Sequence, residues 1–207
     1  MKADEKRSSR PGVPMLMTAL LLVLILIATV TDLARQRIYN WTTYSGILAA
    51  LGLNSLGSVL LATTQVGSDQ LESLGWIGWD KSCIGLVACG LLMLVCFVTF
   101  KVAGGDVKLI AMIGAFVGPE QGLETLLWTF VLGMCMGLIL LIWRVGPWRM
   151  VVLAFRPFGR LVGWQPLHPP NEEEREILQL PLFLAPNALV AAVLVRFSLL
   201  EEITSII

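Results

Sequence analysis

The sequence predicts an all-α membrane protein, a polytopic bundle of about six transmembrane helices. Of its 207 residues, 56% are hydrophobic and 14% are charged, whereas a soluble domain averages about 45–50% apolar and roughly 25% charged residues. The apolar residues form long uncharged runs along the whole chain, which predicts one integral membrane domain over residues 1–207. The formal net charge is zero and gives no indication of nucleic-acid binding.

Five uncharged runs reach or approach the roughly 20 residues that a helix needs to cross the hydrocarbon core. They cover residues 11–31, 38–68, 82–100, 125–143 and 177–195, and residues 1–14 are expected to form an N-terminal tail. A sixth candidate, residues 106–119, is short, because about 14 residues with a rise of about 1.5 Å reach only about 21 Å of a core roughly 30 Å thick. We expect its charged end to be recessed inside the protein, beside a cavity.

The distribution of charge predicts which loops face the cytoplasm. Basic residues follow the first run, flank the start of the short run and recur between the last two runs; they are Arg35, Arg37, Lys101, Lys108, Arg144, Arg149, Arg156, Arg160 and Arg175. The opposite loops are mainly acidic, with Asp69, Glu72, Asp80, Glu120 and Glu124. By the positive-inside rule the basic loops are cytoplasmic. We expect residues 146–176, rich in arginine and aromatic residues, to form an interfacial loop against membrane lipids on that side.

Two carboxylates, Asp32 and Asp106, lie at span ends on the predicted cytoplasmic side. Taken singly, Asp32 fits a residue at the membrane boundary and Asp106 fits a helix N-cap. Taken together they favour a function, because ionisable groups at membrane depth are expensive and are usually retained for one. If the two carboxyl groups come within hydrogen-bond reach they share one proton. The ionised partner then takes a proton from water while the protonated partner polarises a peptide carbonyl.

The residues around both carboxylates form two motifs. Asp32 is followed by "LARQRIYN", which is basic residues and then Ile-x-Asn, and residues 103–109 read "AGGDVKL". These motifs, with the proline-bearing run at residues 180–192, resemble those of the type IV prepilin peptidase family of membrane aspartyl peptidases, in its short form without a methyltransferase domain. The second motif departs from the family's G-x-G-D-V-K-L at Ala103, which stands in place of the first glycine.

The resemblance implies an aspartic endopeptidase that cuts the leader peptide of type IV prepilins or pseudopilins at the cytoplasmic face of a bacterial cytoplasmic membrane. The catalytic role passes to Asp32 and Asp106 only. Gly104 and Gly105 support the motif by permitting close backbone approach, and Lys108 matches it without an assigned role. No cofactor or metal is expected, because the paired C-x-x-C sequences of longer relatives are missing. The four cysteines, Cys83, Cys89, Cys96 and Cys135, fit small buried apolar residues.

Two other functions stay open at this point. A non-catalytic homologue that serves in pilus or secretion assembly is suggested by Ala103, because alanine does not adopt a positive φ freely. A small proton-coupled transporter would use the paired carboxylates to bind ions, although such proteins often contain internal repeats and this sequence shows none. The pairs Gly114–Gly118 and Gly133–Gly137 have G-x-x-x-G spacing, which favours helix packing within the chain over dimerisation. The oligomeric state is not predicted.

Overall fold

The computed structural model describes residues 15–35, 38–63, 74–100, 103–145 and 184–197. Every regular element in these ranges is a helix, and the helices are α1 (Met15–Arg35), α2 (Asn40–Thr63), α3 (Trp79–Phe100), α4 (Gly104–Val145) and α5 (Leu184–Arg196). The prediction of an all-α membrane bundle is confirmed. The expected tail at residues 1–14 and the expected loop at residues 146–176 lie outside the described residues.

Helices α1 to α4 are, within the described ranges, long and apolar enough to cross a membrane, so the chain is a multi-pass membrane protein. Helix α5 is described over 13 residues, directly after a range that lies outside the described residues. The count of about six spans therefore stays a prediction. Two compact units divide the chain, residues 1–129 with 183–207 and residues 130–182; the single domain also stays a prediction.

Within the first unit, helix α1 packs against α2 and α5. Its buried apolar residues recur every three or four positions, at Met17, Leu21, Ile25 and Ala28, the spacing that places side chains on one face of a helix. The carbonyl of Ile25 also accepts a hydrogen bond from the buried Thr29 hydroxyl at 2.8 Å. The polar groups on this face are thereby satisfied inside the bundle, as an apolar environment requires.

Helix α4 turns back on itself at Gly118, which has φ 84° and ψ 178°. Only glycine adopts this conformation readily, and Pro119 follows at the first helical position, where its missing N–H is not needed. A Cβ built on Gly122 would lie 3.0 Å from the Gly114 Cα, whereas eight residues of straight helix rise about 12 Å. The two arms of α4, residues 104–117 and 119–145, therefore meet beside the turn.

The uncharged runs predict two separate spans here, with the second run starting at Thr125. In the structure the second arm begins earlier, at residue 119, so the predicted boundary is wrong. A run without charges leaves out Glu120 and Glu124, although both belong to the helix. Glu120 is exposed in the first turn of the second arm, where a carboxylate interacts favourably with the helix N-terminus. The expectation of four buried cysteines is also wrong for Cys135, which is exposed, although Cys89 is buried.

Helix α5 presents a row of small residues to the bundle. Ala185, Ala188 and Ala191 are fully buried, and small side chains let membrane helices approach closely. At the far end of α5, Arg196 Nε donates to Thr18 Oγ1 and Arg196 Nη1 donates to Gln121 Oε1, each at 2.7 Å. The first contact is to α1 and the second is to α4. Because α5 packs on α1 with Arg196 bound near the start of α1, the first described residues of α5 lie beside the last turn of α1.

Candidate active site

Asp32 lies in the last turn of α1 and is half-buried. The backbone N–H of Ala185, the second residue of α5 as described, donates a hydrogen bond to its carboxylate. A hydrogen bond donated to a carboxylate stabilises its negative charge.

Asp106 is the third residue of α4 and is only 6% exposed. Its backbone N–H donates to the carbonyl of Ala103 at 3.1 Å, so Ala103 occupies the N-cap position and Asp106 lies within the first turn. The interpretation of Asp106 as an N-cap is therefore wrong. Its side chain is directed into the protein and does not close the end of its own helix.

The two carboxyl groups lie near each other. The charge of Asp32 is close enough to act electrostatically on Asp106, although the two residues come from different helices and stand far apart in the sequence. The structure thus brings together the two residues that were predicted from the sequence as a pair. Within the described ranges, no three His, Cys, Asp or Glu side chains gather in a way that could hold a metal ion.

The glycines of the second motif have different surroundings. A Cβ on Gly105 would lie 3.1 Å from the Ile38 Cβ, whereas a Cβ on Gly104 would reach only the ring edge of Phe97 at 3.8 Å. Positive φ angles among the described glycines occur at Gly75, Gly78 and Gly118. Gly104 and Gly105 thus have ordinary helical backbone, and a side chain at position 105 would be in tight contact with Ile38.

Lys108 connects the second motif to the first. Its Nζ donates to Asn40 Oδ1 at 2.9 Å and lies 4.8 Å from the centroid of the Tyr44 ring, within the roughly 6 Å range of a cation–π contact. Asn40 is the asparagine of the Ile-x-Asn sequence. Both residues belong to the two motifs, but the motifs do not predict that they are in contact.

Two further contacts at this end of the bundle were not predicted. Arg35 donates to the Tyr39 hydroxyl at 2.5 Å and lies over its ring at 5.9 Å from the centroid, which links the last residue of α1 to the residue before α2. The other is the Ala185 N–H. A backbone donor leaves no mark in the sequence.

In a comparison with known families, a model of the type IV leader peptidase family matches residues 19–138. This range is more than half of the chain and contains both motifs, but it ends before α5. Comparisons with curated proteins and with solved structures give no match.

Proposed function

The chain belongs to the type IV leader peptidase family, and on that basis we propose that it is an aspartic endopeptidase that removes the leader peptide of type IV prepilins or pseudopilins. The observation that carries the proposal is the proximity of Asp32 and Asp106, from two separate motifs, at one end of the bundle. A pair of carboxylates is sufficient for amide hydrolysis without a nucleophilic side chain.

The surroundings of the two carboxyl groups favour a division of roles. Burial disfavours the charged form of a carboxyl group, and Asp32 is less buried than Asp106. Asp32 also accepts the hydrogen bond from the Ala185 N–H, which favours the charged form. Asp32 is therefore assigned as the general base. Asp106 is 6% exposed and faces that charge, so it is assigned as the partner that carries the shared proton.

The reaction then proceeds with the protons balanced. The Asp32 carboxylate takes a proton from water as the water oxygen bonds to the scissile carbonyl carbon, and Asp106 gives its proton to the carbonyl oxygen. In the second step the C–N bond breaks, the leaving nitrogen receives the proton held by Asp32, and Asp106 recovers a proton from the tetrahedral intermediate. Both carboxyl groups return to their starting states.

The proposed location is a bacterial cytoplasmic membrane, with the active site at its cytoplasmic face. Arg35 ends α1 three residues after Asp32, and basic residues on this side are what the positive-inside rule associates with the cytoplasm. A substrate with a polar leader followed by an apolar helix could place the helix in the lipid and the leader junction at the two carboxylates.

Co-expression with a prepilin, followed by a blot for the loss of the leader, tests the proposal. We expect the wild-type chain to shorten the prepilin, and Asp32→Asn and Asp106→Asn each to abolish processing. Asp80→Asn, at an exposed position in the first turn of α3, is the matched control and should process normally. Full processing by both active-site variants would overturn the proposal. Pilus assembly that depends on the chain while processing does not would instead favour the non-catalytic assembly role.

A further inference from the structure

We infer that Lys108 is a positioning residue, which holds the start of α4 against the start of α2 through Asn40 and Tyr44 and thereby keeps Asp106 beside Asp32. This inference rests on the proposed peptidase function and assigns to that reaction a residue that does not itself touch the scissile bond. The lysine of the second motif thereby acquires a positioning role that the sequence motif alone does not predict.

The contacts of Lys108 are made across the fold. The hydrogen bond from Nζ to Asn40 Oδ1, at 2.9 Å, joins residues 68 positions apart, and the Tyr44 ring lies one turn further along α2 at 4.8 Å from Nζ. A hydrogen bond in which one partner is charged is roughly twice as strong as a neutral one. The Lys108 ammonium group therefore contacts two successive turns of α2, one through Asn40 and the other through Tyr44.

Asn40 is used for this contact in place of a local one. An asparagine at the start of a helix commonly accepts a hydrogen bond from that helix's own free N–H groups. Here Asn40 is the first residue of α2, yet its side-chain oxygen accepts from Lys108 on α4. Its main-chain oxygen accepts from the Thr43 hydroxyl at 3.1 Å. The Asn40 side chain thus contributes to the packing of two helices.

The geometry of α4 transmits this contact to the active site. Residues two apart on a helix point to different sides, so Lys108 is directed to α2 while Asp106 is directed to Asp32. Gly105 packs on Ile38 between these contacts. Because all three belong to the first two turns of α4, movement of Lys108 displaces Asp106, and a misplacement of about 1 Å in an active site can reduce the rate about a hundredfold.

Kinetics of the purified full-length protein on a prepilin that the wild type cleaves provide the first test. Lys108→Met should lower kcat several-fold, because the hydrogen bond to Asn40 is exposed and water weakens exposed contacts of charged groups, with KM little changed. Lys108→Arg should recover part of the loss, because a guanidinium also donates to an amide oxygen and stacks on a tyrosine ring. Lys81→Met, at an exposed position on α3, should match the wild type.

A double-mutant cycle separates positioning from other roles. Asn40→Ala should lower kcat by a similar factor, and the combined Asn40→Ala, Lys108→Met variant should be little worse than either single variant, because both remove one interaction. Losses that multiply would overturn the inference. So would a Lys108→Met variant with raised KM and unchanged kcat, which would assign Lys108 to substrate binding.

A proximity measurement keeps this inference distinct from the proposed function. In a chain whose four native cysteines are replaced by alanine, the substitutions Asp32→Cys and Asp106→Cys introduce two thiols that a short crosslinker can join. Adding Lys108→Met should lower the crosslinked yield several-fold, and Lys81→Met should not. An unchanged yield overturns the inference even if the protein is a peptidase, and a reduced yield supports it even if no prepilin is cleaved.

Discussion

Gly85 of α3 and Gly114 of α4 touch backbone to backbone: a Cβ built on either residue would collide with the carbonyl oxygen of the other. Three residues before Gly85, the Ser82 hydroxyl donates to the Ala115 carbonyl at 2.7 Å. Such close approach by small residues is how helices associate within a membrane, where apolar burial adds little. The contact fixes the position of α4 along its axis relative to α3, and with it the position of Asp106.

Gly114→Ala should therefore destabilise the protein. The added methyl group forces two backbones apart, and overpacking of this kind costs about 1–3 kcal/mol. Thermal unfolding in detergent measures the change. Gly52→Ala is the matched control, because no atom lies within 4 Å of a Cβ at that position and alanine is the better helix former by about 1 kcal/mol. Equal unfolding temperatures for both variants would contradict the close contact.

Gly105→Ala should lower activity while Gly104→Ala should not. A Cβ at position 105 would lie 3.1 Å from the Ile38 Cβ, closer than ordinary van der Waals contact, whereas at position 104 the nearest side-chain atom is 3.8 Å away. We expect a loss of about tenfold or more for Gly105→Ala, because it displaces Asp106 from Asp32. Prepilin cleavage rates measure both, and partial recovery by an added Ile38→Ala would identify the clash. Equal rates for the two glycine variants would contradict this role of Gly105.

Ala103→Gly should change activity very little. Ala103 directly precedes α4 and contributes its carbonyl oxygen to the Asp106 N–H, so the substitution alters an N-cap whose side chain accepts no hydrogen bond. Glycine is better than alanine at this position by about 0.5 kcal/mol, roughly a twofold effect. A hundredfold gain in cleavage rate would contradict this interpretation, because it would mean that the loop needs a backbone conformation closed to alanine, as the non-catalytic alternative requires.

The sequence was most informative where one physical requirement determined the structure. Uncharged runs became helices because an apolar segment in a membrane must satisfy its own backbone hydrogen bonds, and Gly118 followed by Pro119 ended the short run for steric reasons. The two aspartates could be selected because a carboxylate at membrane depth is costly unless it has a use. Their proximity in space agrees with that selection, and their catalytic roles stay a proposal.

The contacts that arrange the site could not be predicted in the same way. The partner of Lys108 is Asn40, and an asparagine at that position in the sequence is typical of a helix N-terminus. Its contact with Lys108 depends on how α2 and α4 lie side by side. The Ala185 N–H reaches Asp32 only because α5 packs along α1, and a main-chain donor is the same in every residue except proline. Long-range packing decides both contacts, and no local pattern records it.

Ala188→Leu should reduce cleavage by acting on that main-chain donor from a distance. Ala188 is fully buried, about one turn after Ala185, whereas Val190 is 48% exposed. A larger side chain at position 188 pushes α5 from the bundle and weakens the hydrogen bond to Asp32. Loss of a hydrogen bond to a charged group costs about 1.5–3 kcal/mol, so the rate should fall roughly tenfold or more. Val190→Leu is the control, and equal rates for both variants would contradict the role of α5.

Thr42→Val should stabilise the protein, whereas Thr43→Val should destabilise it. Both threonines are 1% exposed, but the Thr42 hydroxyl has no hydrogen-bond partner and the Thr43 hydroxyl donates to the Asn40 carbonyl at 3.1 Å. A buried hydroxyl without a partner costs about 1–3 kcal/mol, and a typical hydrogen bond contributes about 1 kcal/mol, so the two substitutions should shift the unfolding free energy in opposite directions. Thermal unfolding in detergent measures both. A different result, unchanged stability together with slower prepilin cleavage by Thr42→Val, would contradict this prediction. It would mean that the Thr42 hydroxyl forms a hydrogen bond during the reaction, since Thr42 lies two residues after Asn40, near the candidate active site.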